Sequence, residues 1–159
     1  MTENSLLRWA QQLQALAQSG MAYTTNVFDN QRYDEVKQIA AEMMAAATGA
    51  ELEEVKCVFD VQSGYATPKV DVRGVVFKDK KILLVRELMD GGRWTLPGGW
   101  VDINEPMSKA VEREVREEAG MIVTARKLAA VFDRNQHGHP PYPYHTYKMF
   151  VLCDLIAEA

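Results

Sequence analysis

Cysteine is scarce: Cys57 and Cys153 are the only two in 159 residues, and no Cys-x-x-Cys pair occurs. That excludes a disulfide-stapled scaffold and a thiolate zinc or redox centre, and it predicts reduced thiols with an incidental structural role. No apolar run approaches the length of a membrane span, and no basic-then-apolar leader opens the chain, so the expectation is a cytoplasmic protein without a membrane partner. Basic excess is missing too. Eighteen Lys and Arg face 22 Asp and Glu for a net charge of −4, and broad electrostatic binding to nucleic acid, which needs a basic footprint, is not expected. There is no fixed-period repeat and no low-complexity tract beyond the alanines at 45–47. What is present, 47% hydrophobic residues in a chain of this length, suffices for one core with an appendage but not for two full-sized domains.

The chemistry is concentrated between Gly99 and Met121. The spacing there is Gly99, five residues, Glu105, seven residues, then Arg113-Glu114-Val115, one residue, Glu117-Glu118, one residue, Gly120-Met121. Pro106 suits a first helical position, Met107 through Ala119 contain no breaker, and Gly120 is placed for a left-handed stop, which predicts one helix. At about 100° per residue, Glu114, Glu117 and Glu118 share a face with Met107, Ala110 and Val111, so carboxylates replace the apolar stripe as it runs toward the C-terminus. Like charges at i, i+3 and i+4 repel, and the negative end of the helix dipole disfavours them further. Arg113 lies one turn before Glu117 and can pair with it, whereas Lys109 and Arg116 project elsewhere. The remaining charge calls for a hard cation, since carboxylate oxygens without thiolate or paired imidazole select Mg²⁺, Mn²⁺ or Ca²⁺. Mg²⁺ characteristically keeps waters and substrate phosphates among its ligands, which points to phosphate chemistry. The competing reading is a solvated acidic helix with ordinary ion pairs.

Preceded by Leu96-Pro97-Gly98-Gly99, the full pattern resembles the Nudix box, the signature of hydrolases acting on a nucleoside diphosphate linked to another group X; Met121 stands where the pattern asks for a bulky aliphatic residue. The resemblance implies metal-assisted hydrolysis of a diphosphate bond by water attack on phosphorus, with Mg²⁺ or Mn²⁺ as cofactor. Carried over by position, it implies Glu114, Glu117, Glu118 and the Gly98 carbonyl as metal ligands. It gives Arg113 the task of orienting the carboxylates, and Glu105 that of supporting the loop or an outer metal water. Glu114 and Glu117 are also candidates for the general base.

The chain divides near residue 65. Ser5 can cap a helix to about Ser19, with Leu6, Trp9, Leu13 and Leu16 as its stripe and Gly20 as terminator. A second helical pattern runs from about Gln31 to Thr48 before Gly49, with Met43 and Met44 as core filler. Glu51 to Val61 is either a short helical turn or a strand. The body that follows reads as strands: Lys69 to Phe77, a turn at Asp79-Lys80, Lys81 to Arg86, Trp94 to Leu96 continuing the same sheet, and then Ala125 to Asp133 and Tyr147 to Ile156. The predicted organisation is a helical domain over 1–65 and an α/β domain over 66–159. The α/β domain is a Nudix α/β/α sandwich with a mixed sheet whose C-terminal part looks short, the chain ending inside or just after a strand.

Read with the amino-terminal helices, the order Trp9-Ala10, Gly20, Tyr33, Pro68 to Gly74, Trp94 to Trp100, Asp133-Arg134 and His139-Pro140-Pro141 resembles a bacterial Nudix subgroup with a small preceding helical domain. That resemblance implies nucleotide sugars, ADP-ribose or CDP-alcohols as substrates and a homodimer built partly by the helices. Arg73 could contact a diphosphate or form an ion pair with Asp71 or Asp102. His139 and Tyr144, in a proline-stiffened segment, are further candidates for substrate contact, and both Trp94 and Trp100 are expected in the core. Two other activities fit the same residues, a ligand-sensing domain without turnover and processing of an RNA end or phosphodiester.

Overall fold

A computed structural model describes residues 5–88 and 91–158, so the outermost ends of the expected 1–65 and 66–159 domains lie outside the described residues. The chain forms two compact units, residues 1–68 with 135–145, and residues 69–134 with 146–159. The segment containing His139 and Tyr144 thus belongs with the helices.

The first unit is built from α1 (Ser5–Tyr23), α2 (Val27–Thr48) and α3 (Leu52–Asp60). Its core gathers Ala10, Ala40, Ala41, Met44, Val55 and Phe59, with Leu7, Leu13 and Met43 packed around them. The alanines matter because small side chains let helix backbones approach closely, while Met44 and Phe59 fill the volume that remains. α2 begins earlier than its apolar periodicity suggests. Asn26 is the N-cap, its side chain accepting from the backbone N–H groups of Phe28 at 2.8 Å and Asp29 at 3.3 Å, which satisfies donors the helix itself leaves open. Gly49 closes the helix in the left-handed conformation with φ 74°. The ambiguous segment after it is helical, α3.

Two expectations for α1 are corrected. Its buried positions are Ala10 and Ala17, and of the expected stripe Leu13 packs against the core while Trp9 and Leu16 are 49% and 65% exposed, so the stripe does not form the intramolecular face as a whole. Gly20 does not end the helix either, which continues to Tyr23. The glycine is there because Tyr33 of α2 needs the space: a Cβ at residue 20 would lie 2.4 Å from two carbons of the Tyr33 ring. Gly20→Ala, which gains about 1 kcal/mol of helix propensity, is therefore expected to be net destabilising, with an overpacking cost of about 1–3 kcal/mol. Thermal melts of Gly20→Ala with and without Tyr33→Ala check this, and the alanine at residue 20 should be stabilising only in the second background.

The second unit is a mixed sheet carrying one helix. Its strands are β1 (Lys69–Lys78), β2 (Lys81–Ile82), β3 (Val85–Glu87), β4 (Arg93–Thr95), β5 (Met121–Asp133) and β6 (Thr146–Glu158), with α4 (Met107–Ala119) between β4 and β5. The larger sheet has the order β2-β1-β6-β5, with β1 parallel to β6 and the other neighbours antiparallel. The tight turn after β1 is present, Asp79 and Lys80 both adopting positive φ, 50° and 62°, the backbone twist that a two-residue hairpin requires.

Lys81 to Arg86, expected as one strand continued by Trp94, is divided between two sheets. Ile82 pairs with Phe77 and the Leu83 N–H reaches the Val76 carbonyl at 2.9 Å, after which the chain leaves β1 and Val85–Glu87 pairs with Arg93–Thr95 in a separate two-stranded sheet. The cause lies on β1 itself. Its edge farther back is already taken, with Gly74 N–H donating to the Pro97 carbonyl at 2.8 Å and Val72 N–H to the Gly99 carbonyl at 2.9 Å.

The core of this unit is Val72 and Val76 of β1, Ala110, Val111 and Val115 of α4, and Val123, Val151 and Cys153 of the neighbouring strands. Gly74 lets the helix close on the sheet, since a Cβ there would meet Val115 Cγ2 at 2.4 Å. Both thiols are free. Burial pushes the Cys153 thiol up to about 11, whereas Cys57 is exposed.

Candidate active site

Helix α4 starts one residue later than expected. Pro106 is extended, with φ −61° and ψ 141°, and serves as N-cap; its carbonyl accepts from Lys109 N–H at 2.8 Å and Ala110 N–H at 3.0 Å, while its missing N–H costs nothing at that place. Gly120 ends the helix at φ 63°, its N–H bonded to the Arg116 carbonyl at 2.9 Å. Ala110, Val111 and Val115 are completely buried and press α4 onto β1. This seating fixes where Arg113, Glu114, Glu117 and Glu118 stand.

Arg113 is the centre of the arrangement. Its Nε and Nη2 donate to the two oxygens of Glu105, each at 2.9 Å, the two-pronged geometry that a planar guanidinium favours. Nη1 donates to Glu114 Oε1 at 2.7 Å and Glu117 Oε2 at 3.3 Å, and Nη2 also reaches the Trp100 carbonyl at 3.2 Å. The expected pairing with Glu117 is therefore the weakest of three. Lys109, as anticipated from its position, turns away from the cluster and bonds Glu112 at 2.8 Å.

The electrostatics follow from these contacts. Arg113 holds the Glu105 carboxyl below its ordinary range, and the Glu105 and Glu114 carboxylates keep Arg113 firmly charged. Glu114 is shifted the other way: burial disfavours its charge, and the like charges of Glu118 and Glu117 outweigh with it the relief from Arg113.

Above the helix lies the glycine loop. Gly98 sits at φ 146°, and a Cβ there would be 1.9 Å from the Val72 carbonyl oxygen. Its N–H donates to Glu118 Oε2 at 2.9 Å. A Cβ on Gly99 would stand 3.0 Å from both oxygens of Glu114, so the bare backbone lets the loop close onto that carboxylate, whose side chain is 12% exposed.

Among the described residues no three His, Cys, Asp or Glu side chains are gathered as they stand within reach of one ion. The donor set nonetheless suits a hard divalent cation, being all carboxylate oxygens, and Arg113 already places a positive charge among Glu105, Glu114 and Glu117.

Arg73 forms the ion pair with Asp71 that the sequence left as one alternative, Nε to Oδ1 at 2.9 Å and Nη2 to Oδ2 at 2.8 Å, and donates from Nη1 to the Leu96 carbonyl at 3.1 Å. His139 and Tyr144 belong to the first unit, where Tyr144 stacks edge-on against Tyr142 with ring centroids 5.4 Å apart. Trp94 and Trp100, expected in the core, are 67% and 42% exposed, because both flank a loop whose backbone, not its side chains, is what β1 holds. Val115, the most deeply seated contact of α4 with Gly74, escaped the sequence reading; its i+4 spacing from Val111 was the available signal.

A helix capped by glycine, seated on a mixed sheet and facing a glycine loop with a carboxylate cluster, defines a hydrolase domain of the NUDIX class. The NUDIX domain model matches residues 67–158, and a model described as a UDP-X-like, N-terminal oligomerisation domain matches residues 4–59. The chain belongs to the NUDIX family. A Bacillus subtilis protein named provisionally as an ADP-ribose pyrophosphatase is 42% identical over 149 residues, 94% of this chain and 71% of that protein. The ADP-ribose pyrophosphatase of Methanocaldococcus jannaschii is 40% identical over 80 residues, 47% of each chain. Among solved structures, a UDP-X diphosphatase superposes with a TM-score of 0.54 at 31% identity, covering 99% of this chain and 76% of its own. An ADP-ribose pyrophosphatase from Streptococcus suis gives 0.50 at 40% identity, covering 58% of this chain and 63% of its own. No helix among the described residues is long and apolar enough to cross a membrane.

Proposed function

We infer that the chain hydrolyses the diphosphate bond of a nucleoside diphosphate linked to a second group, of the ADP-ribose or UDP-X kind, by attack of water on phosphorus. The observation that carries this reading is the convergence of Glu105, Glu114 and Glu117 on Arg113, beside a Gly98–Gly99 backbone that lies close against Glu118 and Glu114 with no side chain between. Glu114, Glu117, Glu118 and the Gly98 carbonyl would hold Mg²⁺ or Mn²⁺, and such an ion supplies polarisation of phosphoryl oxygens and a lowered pKa for bound water. Arg113 contributes by keeping Glu105 ionised and by fixing the Trp100 carbonyl, so that loop and helix present their oxygens together. Names of the similar proteins support the substrate class, and His139 and Tyr144 remain residues proposed for its recognition, whereas Arg73 is engaged by Asp71 and the Leu96 carbonyl.

The helical unit, over about residues 1–65, is proposed as the dimer-forming part. Trp9, Leu16 and Tyr23 recur at seven-residue intervals along α1 and are 49%, 65% and 72% exposed, a stripe of the kind that a second helix covers.

The deciding experiment incubates the protein with ADP-ribose, UDP-sugars and CDP-choline under Mg²⁺ or Mn²⁺ in ¹⁸O-water. The expected products are a nucleoside monophosphate and a phosphorylated X, with ¹⁸O on one phosphate. No turnover of any of them, despite cation-dependent binding, would sink the hydrolase reading. Sedimentation of the same preparation at several concentrations reads the dimer, which a monomer throughout would remove.

A further inference from the structure

The glycine loop is held at both ends by the same device. At its far end Arg113 is gripped by both oxygens of Glu105 through Nε and Nη2 at 2.9 Å each, and gives a further bond to the Trp100 carbonyl at 3.2 Å. At its near end Arg73 is gripped by both oxygens of Asp71 through Nε and Nη2 at 2.9 and 2.8 Å, and gives Nη1 to the Leu96 carbonyl at 3.1 Å. Between the two guanidinium groups the loop is laid along β1 by the bonds Gly74 N–H to Pro97 O, Val72 N–H to Gly99 O and Val101 N–H to Val70 O, at 2.8, 2.9 and 3.2 Å.

Asp71 is unusual for a carboxylate in being only 5% exposed. Buried ion pairs are weak contributors to stability, because desolvating both partners offsets their attraction. What such a pair supplies here is orientation. Asp71 and Arg73 are two residues apart on one strand and so project from the same face of β1, and the fork fixes the plane of the guanidinium so that Nη1 meets the Leu96 carbonyl. Glu118 accepts from Gly98 N–H at 2.9 Å, two residues along the loop from the Leu96 carbonyl that Arg73 holds. Lys148 Nζ, 3.9 Å from Asp71 Oδ1 on the parallel neighbour β6, helps to hold the carboxylate in place.

The geometry points to Asp71 as a positioning residue: through Arg73 and the Leu96 carbonyl it sets the place of Gly98 relative to Glu118. In the reaction this rests on the hydrolase reading given above, because the Gly98 carbonyl and Glu118 are there taken as cation ligands. Asp71 touches neither cation nor substrate.

The test is Asp71→Asn, which keeps the shape and one acceptor but loses the charged fork. Amide exchange at Gly98 should quicken about tenfold or more as its anchoring is lost. Affinity for Mn²⁺ alone, read by electron paramagnetic resonance, and kcat should each fall about 10–100-fold, the range typical of groups that orient a ligand through another residue, with KM for the best nucleotide of the panel within about threefold of wild type by the same reasoning, since ground-state binding is untouched. Arg73→Lys should give the same losses, for a single ammonium cannot fork onto Asp71 and reach Leu96 together. Where Asp71→Asn strands the Arg73 charge and does not fold, the neutral pair Asp71→Asn with Arg73→Gln carries the measurements. Wild-type Gly98 exchange together with wild-type Mn²⁺ affinity in the folded variant would overturn the assignment. Failure of the wild-type protein to bind Mn²⁺ or to turn over any nucleotide would instead overturn the hydrolase reading, while Gly98 exchange would still decide the role of Asp71.

Discussion

Glu117→Gln and Glu118→Gln should each slow diphosphate hydrolysis by about a thousandfold or more while the protein stays folded. A divalent ion is worth several kcal/mol of charge stabilisation in such a reaction, and each 1.36 kcal/mol is tenfold in rate, so losing one anionic ligand is a large kinetic event. Folding should be nearly unaffected. The Glu117 side chain is 53% exposed and its hydrogen bond to Arg113, at 3.3 Å, is longer than those Arg113 makes to Glu105 and Glu114. Glutamine at residue 118 keeps an oxygen to accept the Gly98 N–H. Both substitutions also relieve repulsion among acidic neighbours on one helix face, worth a few tenths of a kcal/mol by the usual size of such pairs, roughly 0.2–0.5. Melting temperatures measured without added metal should therefore be unchanged or slightly raised, and the rise in melting temperature on adding Mn²⁺ should shrink. Full activity in either variant would rule out the ligand assignment.

The largest effect on stability is expected at Gly98. Its φ of 146° belongs to backbone that side chains avoid, and the added Cβ would lie 1.9 Å from the Val72 carbonyl oxygen and 2.9 Å from Arg73 Cα. Neither neighbour can rotate aside, since both are main-chain atoms of β1. Strain and overlap together should cost about 3 kcal/mol or more, a large share of the roughly 5–15 kcal/mol that keeps a domain folded. Relief is available only by lifting the loop, which breaks the bonds from Val72 and Gly74 and removes Gly98 from Glu118. Gly98→Ala should thus show both a sharply lowered denaturant midpoint and no measurable hydrolysis. Gly99→Ala is a useful contrast, because its Cβ would meet the movable tip of Glu114 at 3.0 Å. Equal stability of Gly98→Ala and wild type would show that the loop does not lie on β1 as described.

Comparison of these sites with the sequence shows what local pattern can and cannot convey. The box helix was legible because its information is local: Gly120 sits where a left-handed stop is needed, and the acidic face follows from helical geometry alone. Arg113 was legible as a partner of Glu117, but not its two-pronged grip on Glu105, which lies across a turn and depends on how that turn folds. Gly20 misled because a glycine within a helix and one that ends it look alike in sequence; only the Tyr33 ring beside it tells them apart. The run from Ile82 to Val85 read as one strand because its hydrophobicity is continuous. Its division is set by the loop 97–101, which reaches β1's edge first and leaves room only at Val76 to Lys78. The tryptophans misled in a similar way, since bulk suggests burial while the bonds that hold their loop are made by main-chain groups.

One strand has a consequence for how copies of the molecule meet. β5 is thirteen residues long and forms an outer edge of the larger sheet, the kind of edge that invites runaway strand-to-strand pairing. Its pairing with β6 slips at Ile122/Val123, Ala125/Lys127 and Leu128/Ala130, and Arg126 and Lys127 lie at the second of these slips. Each slip bends the strand and interrupts the straight row of donors and acceptors that an incoming strand would copy. A long edge is thereby broken into short stretches, with charge at the middle of it, so the sheet can be extensive without serving as a template for fibres.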